Sequence, residues 1–117
     1  MKTTDTYNTT IFCGLREGYD GPVHAHSEVE RLCQRYVNEV GLCVTVKPTH
    51  FFYVRGNEPG VEVGIINYPR YPKEPEEILN HALAIARRLK AEFKQERVTI
   101  VTTDKTYMLE PGDELHS

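Results

Sequence analysis

The string Asn67-Tyr68-Pro69-Arg70-Tyr71-Pro72 sets two phenol rings and a guanidinium between two prolines. Proline restricts the chain before it folds, so these groups make a stiff aromatic and cationic surface that loses little entropy on binding. Such a surface can stack a nucleobase while Arg70 holds a phosphate, or it can anchor a protein interface, where Tyr and Arg are common hot spots. The same tyrosines could also simply cover the edge of a core. A second candidate is Arg16-Glu17-Gly18-Tyr19, at the end of an apolar alternating run. A ligand at that strand end would meet a guanidinium, glycine amides and a ring; a solvated strand end uses the same residues. Arg16, Tyr19, Tyr68, Arg70 and Tyr71 are therefore the expected ligand-binding set.

His24-x-His26 sits in a Gly/Pro-containing stretch, and two imidazoles so spaced can share a divalent metal if Asp20, Glu28 or His50 supplies a third ligand. The alternative is a polar loop. Arg55, Asn57 and Glu58 lie among Gly56 and Gly60 in a segment that reads as a turn. No G-x-x-x-x-G-K, G-x-G-x-x-G, H-E-x-x-H or G-x-S-x-G occurs, so the enzyme classes that carry those motifs lose their support, and no cofactor is implied.

The elements that must position these groups follow from periodicity. Thr9 to Arg16 alternates as a strand with one buried face. Ser27 and Glu30 form an S-x-x-E capping box at the start of a helix. Val29, Leu32, Cys33, Tyr36, Val37 and Val40 make its apolar stripe, and Gly41 ends it. Leu42 to Lys47 and then His50 to Arg55 read as one edge strand, broken or bulged at Pro48, because proline cannot donate to a ladder. Arg55 to Gly60 reads as a turn into a third strand, Val61 to Tyr68. Pro75, with Glu76 and Glu77 behind it, opens a second helix. Ile78, Ala82, Ile85, Ala86, Leu89 and Phe93 form its buried stripe; Arg87, Arg88, Lys90 and Lys94 are assigned to its solvent side. Arg97 to Thr103 is a fourth strand, Thr106 to Leu109 a short fifth, and Glu110 to Ser117 a mobile tail.

The order βαββαβ predicts an α+β, ferredoxin-like two-layer sandwich, a four-stranded antiparallel sheet with two helices on one face. The 117 residues make one domain, with an ordered core from about residue 9 to 110. The other sheet face is left open. Gly14 and Gly64 fall there on central strands, which suggests that a second subunit's sheet, a ligand or a local bulge comes close. Phe12, Ile66 and Val101 on an open face favour a homodimer.

The chain has 39% apolar and 26% charged residues, as a globular domain does, and carries a net charge of −3, which gives no general attraction for nucleic acid. It lacks an apolar run long enough to span a bilayer and a signal-peptide h-region, so no membrane partner is expected and the cytoplasm is. Cys13, Cys33 and Cys43 read as reduced, packed thiols.

The runs Ile11 to Tyr19, Tyr36 to Val46 and Glu58 to Pro72 resemble a group of small proteins of tailed bacteriophages. That resemblance covers the chain from Ile11 to about Glu110 and brings no catalytic residues with it. It implies a protein in the host cell cytoplasm, an accessory factor that captures a host protein or sequesters a small signal molecule. Three readings result: a non-enzymatic, homo-oligomeric binder of an anionic small molecule such as a nucleotide; a module that binds a host protein; and a metal-dependent hydrolase using His24 and His26.

Overall fold

The computed structural model describes residues 1–113. Five strands and two helices follow one another as β1 (Thr9–Gly14), α1 (His26–Val40), β2 (Val44–Tyr53), β3 (Gly56–Ile65), α2 (Pro75–Glu92), β4 (Val98–Thr102) and β5 (Thr106–Leu109). The strands form a single antiparallel sheet in the order β2-β3-β1-β4-β5. Each helix links two strands that run parallel with one strand between them, so both helices pack on one face. There Ile11, Cys13, Val61, Val63, Ile65, Val98 and Ile100 meet Val29, Leu32, Cys33, Tyr36, Ile78, Ala82, Ile85 and Leu89 in a continuous core. Among the described residues no helix is long and apolar enough to cross a membrane.

The helix ends differ from the sequence expectation by a residue or two. Ala25, not Ser27, caps α1, and Glu28 rather than Glu30 reaches back, its carboxylate accepting the Ala25 N–H at 2.6 Å. Alanine has no side-chain acceptor, so only this half of a capping box forms. Gly41 ends the helix as expected, at φ 71° with its N–H on the Val37 carbonyl. Pro75 occupies the first turn of α2. Lys90 is buried rather than on the solvent side: it follows Leu89 and lies one turn after Ala86, on the flank of the apolar stripe.

The β2–β3 hairpin holds the largest departure. Its register runs unbroken from Val44↔Ile65 to Tyr53↔Gly56, with Pro48 opposite Val61 and no bulge. On an edge strand the missing proline N–H can face away from the neighbour, so the ladder continues past it. The turn shrinks to Val54-Arg55, with Arg55 at φ 62°, and Gly56 to Gly60 are strand rather than turn. At its other end β3 stops at Ile65, short of Tyr68. The hairpin leaves Phe52 and Val54 exposed at its tip.

The open-face glycines admit side chains of this same chain. A Cβ on Gly14 would stand 2.9 Å from the Glu58 carboxylate, and one on Gly64 would stand 2.6 Å from the Thr45 hydroxyl. Cross-strand neighbours thus account for the close approach that the sequence assigns to a subunit, a ligand or a bulge. Phe12 meets Phe51 edge-on across this face, while Val101 and Met108 stay exposed. Ile66 lies beyond β3 and lines a pocket instead. Of the tail, Glu110 and Asp113 close a turn; residues 114–117 lie outside the described residues.

Candidate functional site

The expected ligand-binding residues divide between two places. Arg16 and Tyr19 follow the C-terminal end of β1, whereas Tyr68, Arg70 and Tyr71 follow the C-terminal end of β3. The two neighbouring strands are antiparallel, so these ends lie at opposite ends of the strand pair, about 20 Å apart along a six-residue strand. The two groups line different pockets.

At the β1 end is a polar cleft. The loop after β1 is anchored by the Arg16–Val23 bridge and by the His24 N–H on the Leu15 carbonyl at 2.8 Å. Two adjoining hollows, ≈ 280 and ≈ 490 Å³, share Arg16, Tyr19 and Tyr53; Gly18, Glu58, Gln95, Glu96 and Arg97 complete the first, Asp20, Val54, Arg55, Gly56 and Asn57 the second. Arg16 is fixed from three sides. Its N–H donates to a Glu58 carboxylate oxygen at 3.3 Å, its guanidinium to the Asn57 carbonyl at 2.9 Å, and its own carbonyl accepts from the Gln95 amide at 3.0 Å. Glu58 and the Arg16 guanidinium are thereby held near each other without being paired, and among the described residues Glu58 has no cationic side-chain partner. Tyr19 is 87% exposed, so its ring face is open to a ligand.

At the β3 end is an apolar pocket of ≈ 390 Å³, lined by residues that include Leu42, Cys43, Ile65, Ile66, Tyr68, Tyr71, Lys73 and Ile78. Its outer wall, the Tyr68–Pro72 loop, is clamped by Asn67. The Asn67 amide donates to the carbonyls of Asp5 (2.9 Å) and Lys73 (3.2 Å), and its oxygen accepts the Lys73 N–H at 2.9 Å. Arg70 stacks on Tyr71 with 5.5 Å between guanidinium and ring centre. The neighbouring Cys43 thiol holds the Tyr68 phenol's pKa above its ordinary value.

The histidine pair does not converge. His24 Nε2 meets Glu17 at 2.6 Å and its Nδ1 lies 3.5 Å from Glu28, while His26 faces Glu30 at 3.1 Å. His50 is on the far hairpin, bonded to Asn57 at 2.8 Å. Among the described residues no three His, Cys, Asp or Glu side chains are grouped to hold a metal. His24 precedes α1 and His26 opens it, and each imidazole meets different carboxylates.

Cys13 and Cys33 are packed as expected, but Cys43 is exposed. Burial, with Glu58's charge adding to it, pushes the Cys13 thiol up to about 12, and burial pushes Cys33 up to about 11. Both stay protonated and enclosed at pH 8. Iodoacetamide at that pH is expected to label Cys43 alone in the folded protein and all three thiols in urea, as read by intact mass. Labelling of Cys13 or Cys33 without denaturant would mean the core opens.

Sequence reasoning placed Glu58 in a turn and overlooked Tyr53, Gln95, Arg97, Cys43 and Lys73. The available signal for Glu58 was Gly14, a small residue at the position its carboxylate covers.

No protein-family model matches the chain, and no curated protein sequence matches it. Two solved structures resemble it over nearly their whole length, and both belong to a class of small phage α+β domains. One is a phage SAM lyase in its apo state, 20% identical, covering 96% of this chain and 96% of its own, with a TM-score of 0.81. The other is a phage SAM lyase in complex with S-methyl-5'-thioadenosine, 19% identical, covering 94% of this chain and 93% of its own, with a TM-score of 0.74. The likeness shows the fold: a five-stranded antiparallel sheet carrying two helices.

Proposed function

We propose that this chain is a phage-type enzyme that binds S-adenosylmethionine in the polar cleft and cleaves it to S-methyl-5'-thioadenosine. This replaces the expectation of a non-enzymatic binder and keeps the expectation of a nucleoside-derived small molecule. The observation that carries it is Glu58, a carboxylate held in the cleft beside, but not paired with, the Arg16 guanidinium. A zwitterionic amino-acid end needs such a pair: the carboxylate takes its ammonium and the guanidinium its carboxylate. Tyr19 and Tyr53 offer ring faces for the adenine and for the sulfonium cation. The match of fold to two lyase structures supports the same reading.

Cleavage needs no cofactor. The bond between the sulfonium sulfur and the amino-acid side chain breaks, its electron pair passes to sulfur, and a neutral thioether leaves. The four-carbon fragment closes on its own carboxylate or loses a proton. The protein's part is to hold the substrate in a reactive fold and strip water from a cation whose charge disappears. The test is release of S-methyl-5'-thioadenosine from S-adenosylmethionine, followed by chromatography in wild type and Glu58→Gln.

The ferredoxin-like reading of the sheet is supported by the order β2-β3-β1-β4, with β5 as an added edge strand. Homo-oligomerisation through the open face is supported by the exposure of Val101 and Met108 beside Phe12 and Phe51. Light scattering at micromolar concentration is expected to give twice the 13.4 kDa chain mass; a 13.4 kDa species would end that reading.

A further inference from the structure

The apolar pocket at the β3 end is a place the proposed reaction does not use. Its one side-chain amide is already spent: Asn67 serves the backbones of Asp5 and Lys73. A nucleoside lodged there would bury ribose hydroxyls and base edges with little to meet them, and each buried polar group left without a partner weakens binding. Charge points the same way: Lys73 is the one ionisable cation among the lining residues, no carboxylate lines the pocket, and Arg70 stands over Tyr71 at its rim. The wall is also preformed. Pro69 and Pro72 stiffen the loop, the Tyr71 N–H closes it on the Tyr68 carbonyl at 3.0 Å, and the Asn67 clamp ties it to Lys73. A ligand therefore does not have to order the loop as it binds. At ≈ 390 Å³ the volume falls within the usual range for small-molecule sites.

We propose that this pocket, walled by Leu42, Cys43, Ile66, Tyr68, Tyr71 and Lys73, is a second ligand site that takes a small, flat, apolar molecule carrying one anionic group. The ring system lies against Ile66, Leu42 and the two tyrosines, and the anion meets Lys73. The site is separate from the cleft, so its occupancy and the cleavage of S-adenosylmethionine are tested independently.

Cys43 reports occupancy because it lines the pocket and is the one exposed thiol of the three. The experiment measures the rate of its alkylation by iodoacetamide against increasing 2-naphthoate, with uncharged 2-naphthamide as the control. The expected result is saturable protection of about fivefold or more by 2-naphthoate, half-maximal at a concentration about tenfold lower than for the amide. Lys73→Gln is expected to abolish that difference while leaving the circular dichroism and melting temperature of the free protein unchanged. Tyr71→Ala is expected to weaken both probes. No protection at millimolar probe, equal protection by the two probes, or a preference that survives Lys73→Gln would each overturn the proposal. Cleavage of S-adenosylmethionine is read in the same samples. Turnover that persists after Cys43 is alkylated supports two sites, whereas its loss would place the substrate in this pocket and overturn the separation. If the chain cleaves no S-adenosylmethionine at all, the protection assay still reads, so the two ideas fail separately.

Discussion

Wild-type protein mixed with S-adenosylmethionine is expected to release S-methyl-5'-thioadenosine, and Glu58→Gln is expected to lower kcat/KM about 10- to 100-fold. The size follows from the contact. A hydrogen bond to a charged group contributes about 1.5–3 kcal/mol, and each 1.36 kcal/mol is tenfold in rate. Glutamine keeps the side chain's length and its place over Gly14 but removes the charge that an ammonium requires. If Glu58 only anchors the substrate, the loss lies mostly in KM; if it also removes a proton from the four-carbon fragment, kcat falls as well. Arg16→Lys is expected to act in the same direction, because an ammonium cannot reproduce the planar fork that now spans Asn57 and the cleft. Glu76→Gln, on the exposed first turn of α2 and outside the cleft, serves as the control and should stay within about twofold. Wild-type protein that leaves S-adenosylmethionine intact, or a Glu58→Gln variant as active as wild type, would defeat the proposed function.

Phe93→Ala is expected to cost about 3–5 kcal/mol of stability, a large part of the roughly 5–15 kcal/mol that holds a domain of this size together. Phe93 ends α2 with 1% of its surface exposed, and its ring packs edge-on against His24 at 5.0 Å between centres. Removing the ring opens a cavity between the helix end and the loop that follows β1. Urea titration should place the midpoint far below that of wild type with a similar slope; Phe93→Leu, which refills much of the volume, should recover most of the loss. The effect reaches the cleft as well. The Gln95 amide is shared between the carbonyls of Phe93 and Arg16, each at 3.0 Å, so loosening Phe93 loosens the hold on Arg16. Phe93→Ala is therefore expected to lose activity at temperatures where it is still folded. A midpoint within about 1 kcal/mol of wild type would mean the site collapses onto the space and that Phe93 holds neither the helix end nor the cleft.

Much of this protein was legible from local pattern. The alternation of Ile11 and Cys13, the stripe from Val29 to Tyr36 and the stripe from Ile78 to Phe93 each mark a buried face, because burying apolar surface at a fixed period needs no distant information. Pro75 and Gly41 mark helix ends for reasons held within a few residues.

Other features depended on partners far along the chain. Whether Gly56 to Gly60 turn or extend was decided by pairing with Thr49 to Tyr53, since a ten-residue register outweighs the turn preference of glycine and proline. Arg16 and Tyr68 looked like members of one site because both lie at strand ends, but antiparallel pairing sends those ends to opposite ends of the strand pair. His24 and His26 looked like metal ligands by spacing, and nearby carboxylates claimed them separately. Glu58 drew little notice as a sequence position. It became the centre of the cleft only when β3 laid its carboxylate over Gly14 of β1, more than forty residues away. Sequence alone thus determined which residues face the core, because that choice is periodic and local. Tertiary structure decided which polar residues share a site, because strand direction and register bring together groups that no local pattern connects.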